Sequence, residues 1–428
     1  MAARIRSVEG ARGVAAIGVL VYHTAGASDS GRWLATATSR LWLGVPLFFV
    51  LSGFLLFRPF ARSIVRDTAW PSLRRYGRAR VLRIFPAYWT VLIVMVAVQG
   101  LFLTGPALAA LAVVAWVDVW ARGARIILAP IVTTLALFAL ADTSWESIWA
   151  GMTNFLLIQV PLGPYQMLGP AWTLCIEISF YAALPVLAYM ATRFASRGIG
   201  TRARAARAAA VIALLIPTGL GYAAFAGDSG FTPGLMRPLP ICLPGFLDEF
   251  AAGMLLAIAL EVWPSVSPPV SRLLLAAGVG TAVIANVFLF SVGPLVVGGG
   301  RLFFGKTMAV AFALVLASVL TRGGSTLVGR LLSSRPMVAA GTVSYGIYLW
   351  HGFAIGQLEQ RSFWGWAPLD VFATAAVTVL AATLSWFLIE RRALALKSKS
   401  RSVRARRAGR VPPIHSSPAP ASAAAPPT

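Results

Sequence analysis

Ten stretches of about 20 mostly apolar residues, separated by short arginine-rich segments, leave few folds open to this chain. A run of that length crosses the roughly 30 Å hydrocarbon core as a helix and is too long for a membrane strand. The expected spans are 13–27, 41–57, 84–104, 171–192, 208–226, 244–262, 272–292, 296–320, 336–357 and 368–390. The predicted fold is therefore all-α: an integral membrane protein built as a polytopic bundle of about 10 transmembrane helices. Two shorter apolar runs, 106–120 and 126–141, surround Arg122 and Arg125. They form either two extra crossings, which would give 12 helices, or an outer re-entrant hairpin.

Composition points the same way. Hydrophobic residues make up 58% of the 428 and charged residues 12%, against roughly 25% charged in ordinary globular proteins. Mean hydropathy is +0.77. So few charges cannot cover a soluble fold of this size, which excludes a cytosolic enzyme, a secreted disulfide scaffold and a disordered chain. The net charge of +23 would suit nucleic acid if it lay along one soluble face. Instead, 28 of the 37 Lys and Arg residues fall in 1–13, 58–83, 193–207, 322–335 and 391–410, each beside an apolar run. Starting inside the cell puts all five segments on the cytoplasmic side, facing anionic lipid. A multi-pass plasma-membrane protein with both termini cytoplasmic follows, and a nucleic-acid partner is not expected.

Arg4, Arg6 and Ala25-Gly26-Ala27 flank an apolar run in the manner of a secretion signal. Arg12, Tyr22 and His23 interrupt that run, and a retained first helix is expected. Residues 1–392 form the membrane domain, and 393–428 a basic, then Pro/Ala-rich, tail expected to be disordered in the cytoplasm. Cys175 and Cys242 lack metal-ligand spacing and read as small apolar residues, not a disulfide or redox pair.

Polar groups inside the apolar runs mark the candidate site, since an ionisable residue at that depth is costly. Arg12 and His23 are eleven residues apart, which at about 100° per residue puts them within roughly 20° on one helix face, about 16 Å apart in rise. Glu9 sits one turn before Arg12 and can pair with it. Arg80 and Arg83 are neighbours at the cytoplasmic mouth of the third span, and paired guanidinium groups suit phosphate. An acid two turns into an apolar helix, Glu177 is expected to pair with His23 or an arginine. Ser344, Tyr348 and His351 share a face, although an aromatic belt explains Tyr348 equally well. In the Asp248-Glu249 pair, Glu249 is a further intramembrane acid candidate. No metal site is expected.

The ordered motifs Glu9-Gly-Ala-Arg-Gly with Tyr22-His23, Phe48-Phe-Val-Leu-Ser-Gly-Phe54, Arg80-x-x-Arg-Ile-Phe-Pro86, Trp172-Thr-Leu-x-x-Glu with Phe180-Tyr181, and Ser344-Tyr-Gly-Ile-Tyr-Leu-Trp-His351 together resemble the acyltransferase 3 family. These are bacterial integral-membrane O-acyltransferases that modify surface glycans, lipids or glycosylated metabolites. The likeness runs from about residue 4 to residue 392. It implies that Arg12 and His23 are the family's Arg-to-His pair, and Arg80 and Arg83 its Arg-x-x-Arg element. The chain departs from the pattern at Glu9 (usually Asp), Pro46 (near a usual acid), Thr173 (usually Ser) and Arg392 (usually Pro). The esterase-like domain fused to some members is expected to be missing, so a second transfer step would need a partner.

The resemblance implies acyl-CoA, most commonly acetyl-CoA, as co-substrate with no permanently bound cofactor. The acceptor would be a hydroxyl of a glycan, glycolipid or glycosylated small molecule. Acyl transfer needs a base and an oxyanion donor. His23 suits the base, or alternatively an acyl-imidazole nucleophile. Glu9 or Glu177 would steady the imidazole, Arg12 would orient the donor, and Arg80 and Arg83 would hold its phosphates. The rival from another class is a secondary transporter or lipid-linked glycan flippase, with the same buried charges as its pathway. A non-catalytic scaffold leaves those charges unexplained.

Overall fold

The structure is a computed structural model that describes residues 2–27, 32–103, 145–162, 168–196, 200–226, 242–290, 300–322, 325–359 and 367–395. The expectations for 105–141 and for the tail beyond residue 395 fall outside these residues. Among them the chain is helical and contains no strand. The helices are α1 (Ala2–Ala27), α2 (Arg32–Thr38), α3 (Gly44–Arg66), α4 (Leu73–Leu103), α5 (Trp145–Leu156), α6 (Gln159–Leu162), α7 (Trp172–Ala195), α8 (Thr201–Ala213), α9 (Leu215–Ala226) and α10 (Leu247–Val262). They continue with α11 (Pro268–Ile284), α12 (Gly300–Arg322), α13 (Leu327–Leu332), α14 (Arg335–Thr342), α15 (Ser344–Glu359) and α16 (Ala367–Ser385), which passes through a π turn, Trp386–Glu390. Seven helical segments are long and apolar enough to cross a membrane.

Helix covers the described part of each expected span, but the first, third and ninth are not among these seven, and the ends differ. The first begins at Ala2, the third at Leu73 and the fifth at Thr201, so the arginine-rich flanks are helical rather than loops. Arginine and alanine are strong helix formers, and an arginine stem covers apolar surface while its head stays polar. The fifth and ninth spans are interrupted at Leu214 and Val343.

With little hydrophobic drive between helices in lipid, close packing holds them together. A Cβ added to Gly53 would meet the Phe250 carbonyl oxygen at 2.2 Å, and one on Gly253 the Val50 carbonyl oxygen at 2.0 Å. Only glycine lets α3 and α10 touch in this way. Phe49 then meets Phe246 edge-on and Phe250 at a tilt, with ring centroids 5.4 and 4.8 Å apart. At the far end Arg66 Nε donates to Glu261, while Arg204 reaches Asp67 at 3.3 Å and the Val65 carbonyl at 3.2 Å. The ends of α3 and α10 and the start of α8 thus lie together on one side. At the opposite end a buried Lys306 of α12 bonds Asp248 Oδ1 at 2.6 Å and the Gly245 carbonyl at 2.7 Å. Asp248 and Glu249 therefore belong to this latch between α10 and α12.

Both α14 and α15 pack against α1. Glu9 lies at Gly341, where a Cβ would stand 1.8 Å from the Glu9 carbonyl oxygen. Fourteen residues further along α1, His23 reaches His351. This packing sets the site.

Candidate active site

A cavity of about 100 Å³ opens between α1, α3, α4, α7 and α15. Its polar lining is Arg12, Arg80, Arg83, Ser52, Thr173, Glu177, Tyr181, Ser344, Tyr345 and Tyr348. The two sequence-predicted arginine elements therefore meet in one place. Arg12 comes from the first helix, whereas Arg80 and Arg83 come from the basic entry to α4.

The guanidinium groups are held mainly by faces rather than by carboxylates. Arg80 lies over the Tyr181 ring and Arg83 over the Tyr345 ring, each 5.8 Å from the centroid. Such contacts fix orientation while leaving N–H donors uncommitted. Nε of Arg80 is buried with no hydrogen-bond partner. Arg12 is 3.9 Å from Glu9, a loose pair.

Glu177 differs from the expectation. Its partner is neither His23 nor an arginine: Oε1 accepts hydroxyl protons from Ser52 and Tyr181, both at 2.7 Å. The reason is local, because Tyr181 is one turn along the same helix and Ser52 faces it from α3. Nor does Glu249 join the cavity lining. It is 4% exposed, with Oε2 lacking a hydrogen-bond partner, beside the Lys306–Asp248 latch.

Tyr348 bridges the arginine cavity and the histidines. Its hydroxyl donates to the Pro170 carbonyl at 2.9 Å and shares a 2.6 Å contact with Thr173. Its ring meets His351 edge-on at 5.6 Å. Beyond it His23 and His351 stack, with centroids 5.0 Å apart. Nε2 of His351 is 3.2 Å from Nδ1 of His23, which also lies 3.0 Å from the Val19 carbonyl. His351 Nδ1 faces the Ile347 carbonyl at 3.2 Å. Carbonyl oxygens only accept, so they assign a proton to Nδ1 of each ring. His351 Nε2 then accepts from His23, and His23 Nε2 keeps its lone pair.

Two groups escaped the sequence reading. Lys306 is a buried cation inside the apolar run 296–320, and Glu390 is a buried acid at the end of the last span. Cys175 and Cys242 are free. Cys242, however, is only partly buried and lies 2.8 Å from the Tyr222 hydroxyl, so it is not a plain apolar filler.

The helical bundle thus brings Arg12, Arg80 and Arg83 to one cavity and His23 to His351. A family profile described as "Acyltransferase domain" matches residues 5–390, and the chain belongs to this acyltransferase 3 family. Among curated proteins it is 26% identical over 418 residues to the "Putative peptidoglycan O-acetyltransferase YrhL" of Bacillus subtilis, covering 93% of this chain and 56% of that protein. It is 25% identical over 398 residues to the O-acetyltransferase OatA of Staphylococcus aureus, covering 90% and 56%. The chain thus spans a little over half the length of these relatives. No solved structure matches.

Proposed function

We propose that the protein is a plasma-membrane O-acyltransferase of ten crossings with cytoplasmic termini, moving an acetyl group from acetyl-CoA to a hydroxyl of a cell-wall glycan. The observation that carries this reading is the joining of two sites by Tyr348: three guanidinium groups on one side, and on the other a histidine with a free Nε2 lone pair. The relatives' names support O-acetylation, and one of them names peptidoglycan.

In this scheme Arg80 and Arg83 hold the donor phosphates at the cytoplasmic mouth, with Arg12 beside them. The cavity, at about 100 Å³, has room for the acetyl thioester end of the donor but not for the nucleotide, which stays outside. An acceptor hydroxyl gives its proton to His23 Nε2 as its oxygen attacks the thioester carbon. The C–S bond then breaks, and the departing thiolate takes that proton. The Val19 carbonyl and His351 Nε2 together hold His23 in the reactive tautomer. In a two-step variant the same Nε2 atom carries the acetyl group before the acceptor arrives.

Incubating membranes that contain the protein with radiolabelled acetyl-CoA and cell-wall glycan tests the proposal. Alkali-labile label in the glycan is expected, and label retained on the protein would identify the two-step route. No transfer above membranes lacking the protein would contradict it.

A further inference from the structure

Four residues apart on α7, Glu177 and Tyr181 share one helix face, and the Tyr181 hydroxyl donates to Glu177 Oε1 at 2.7 Å. Ser52 of α3 donates to the same oxygen, also at 2.7 Å. Hydrogen bonds to a carboxylate are about twice as strong as neutral ones, so this oxygen pins the far end of the Tyr181 ring. The backbone of Tyr181 is held as well, because the Tyr76 hydroxyl of α4 donates to its carbonyl at 3.2 Å. Arg80 lies over the ring fixed between these two points, 5.8 Å from its centroid.

Arg83 rests on a ring that is held differently. Tyr345 donates its hydroxyl to the Ile84 carbonyl at 2.8 Å, so α4 itself anchors the ring beneath its own arginine. Glu177 is within ion-pair distance of neither arginine. Its contact with the pair runs through Tyr181, and reaches Arg80 alone. The Arg80 Nε–H is buried with no acceptor, so it is a donor directed by the ring and left for a ligand.

We infer that Glu177 serves the donor site rather than the imidazole: through Tyr181 it sets the Arg80 guanidinium for a phosphate oxygen. This rests on the acyl-CoA reading above. Glu177, Tyr181 and Ser52 are positioning residues in this role.

The test is a set of double-mutant cycles on the purified full-length protein in detergent, reading binding of CoA and, separately, of inorganic pyrophosphate. Glu177→Gln and Tyr181→Phe should each weaken both anions about threefold to tenfold, in the wild-type and in the Arg83→Ala background alike. With Arg80→Ala the added loss should shrink below about twofold, because the group being positioned is gone. In turnover both variants should raise donor KM more than they lower kcat. Should Glu177→Gln fail to fold, Tyr181→Phe and Ser52→Ala carry the same cycles. Losses that persist undiminished with Arg80→Ala, or a fall in kcat at unchanged donor KM, overturn the inference. If wild type binds pyrophosphate but not CoA, the donor reading fails instead, and the pyrophosphate cycles still decide the role of Glu177.

Discussion

His351 Nε2 stands 3.2 Å from His23 Nδ1, and this contact couples a fully buried imidazole to a partly exposed one. The Ile347 carbonyl sets the tautomer of His351, and the Val19 carbonyl that of His23, whose Nδ1 proton His351 Nε2 shares. The arrangement places an orienting group behind a base, the logic that carboxylates serve in many hydrolases.

Replacing His351 by phenylalanine should preserve the edge-on contact with Tyr348 while removing the acceptor for His23. A fall in kcat of about tenfold to a hundredfold is expected with donor KM unchanged. Transfer kinetics on purified protein check this, and an unaltered kcat would make His351 a packing residue only.

The double variant Arg80→Ala, Arg83→Ala should act chiefly on the donor. Charge-assisted bonds contribute about 1.5–3 kcal/mol each, so KM for acetyl-CoA should rise at least about tenfold. Unchanged donor affinity with altered insertion would leave the pair as topology anchors.

The Lys306–Asp248 latch predicts a stability effect separable from chemistry. Lys306→Met alone leaves a buried acid without its cation and should cost about 3–5 kcal/mol, whereas combining it with Asp248→Leu should recover much of that loss. Thermal melting in detergent reads both, and equal losses in the single and double variants would argue against a paired latch.

Sidedness can be read by cysteine labelling in a Cys242→Ser background. Ala69→Cys, on the exposed turn after α3, should be protected from an impermeant thiol reagent in intact cells, whereas Ala37→Cys on α2 should react. The arginine-rich flanks motivate this orientation, and the reverse pattern would put the arginine pair outside, away from acyl-CoA.

Apolar run length and basic clustering are one-dimensional properties, so the all-helical membrane fold and the charge pattern were readable from the chain alone. The face shared by Arg12 and His23 was readable too, because a single helix fixes it. What surrounds that face was not: Arg12 enters the tyrosine-walled cavity, while His23 reaches past Tyr348 to His351, 328 positions away. Similarly, nothing local announces that Ser52 will satisfy Glu177. Glu390 stayed hidden because Arg391 and Arg392 follow it, making it look like part of a membrane-surface boundary. Lys306 offered a usable signal, since a cation well inside an apolar run needs an anion, and the Asp248-Glu249 pair was available in another span.

The most direct test of the account is acetyl transfer by His23→Ala, measured with radiolabelled acetyl-CoA on protein shown to be expressed, inserted and folded like wild type. Loss of the base predicts a fall of about 10²–10⁴-fold in transfer rate, with donor binding retained because Arg12, Arg80 and Arg83 are untouched. Transfer within a factor of a few of wild type would contradict the assignment of His23 as the group that takes the hydroxyl proton.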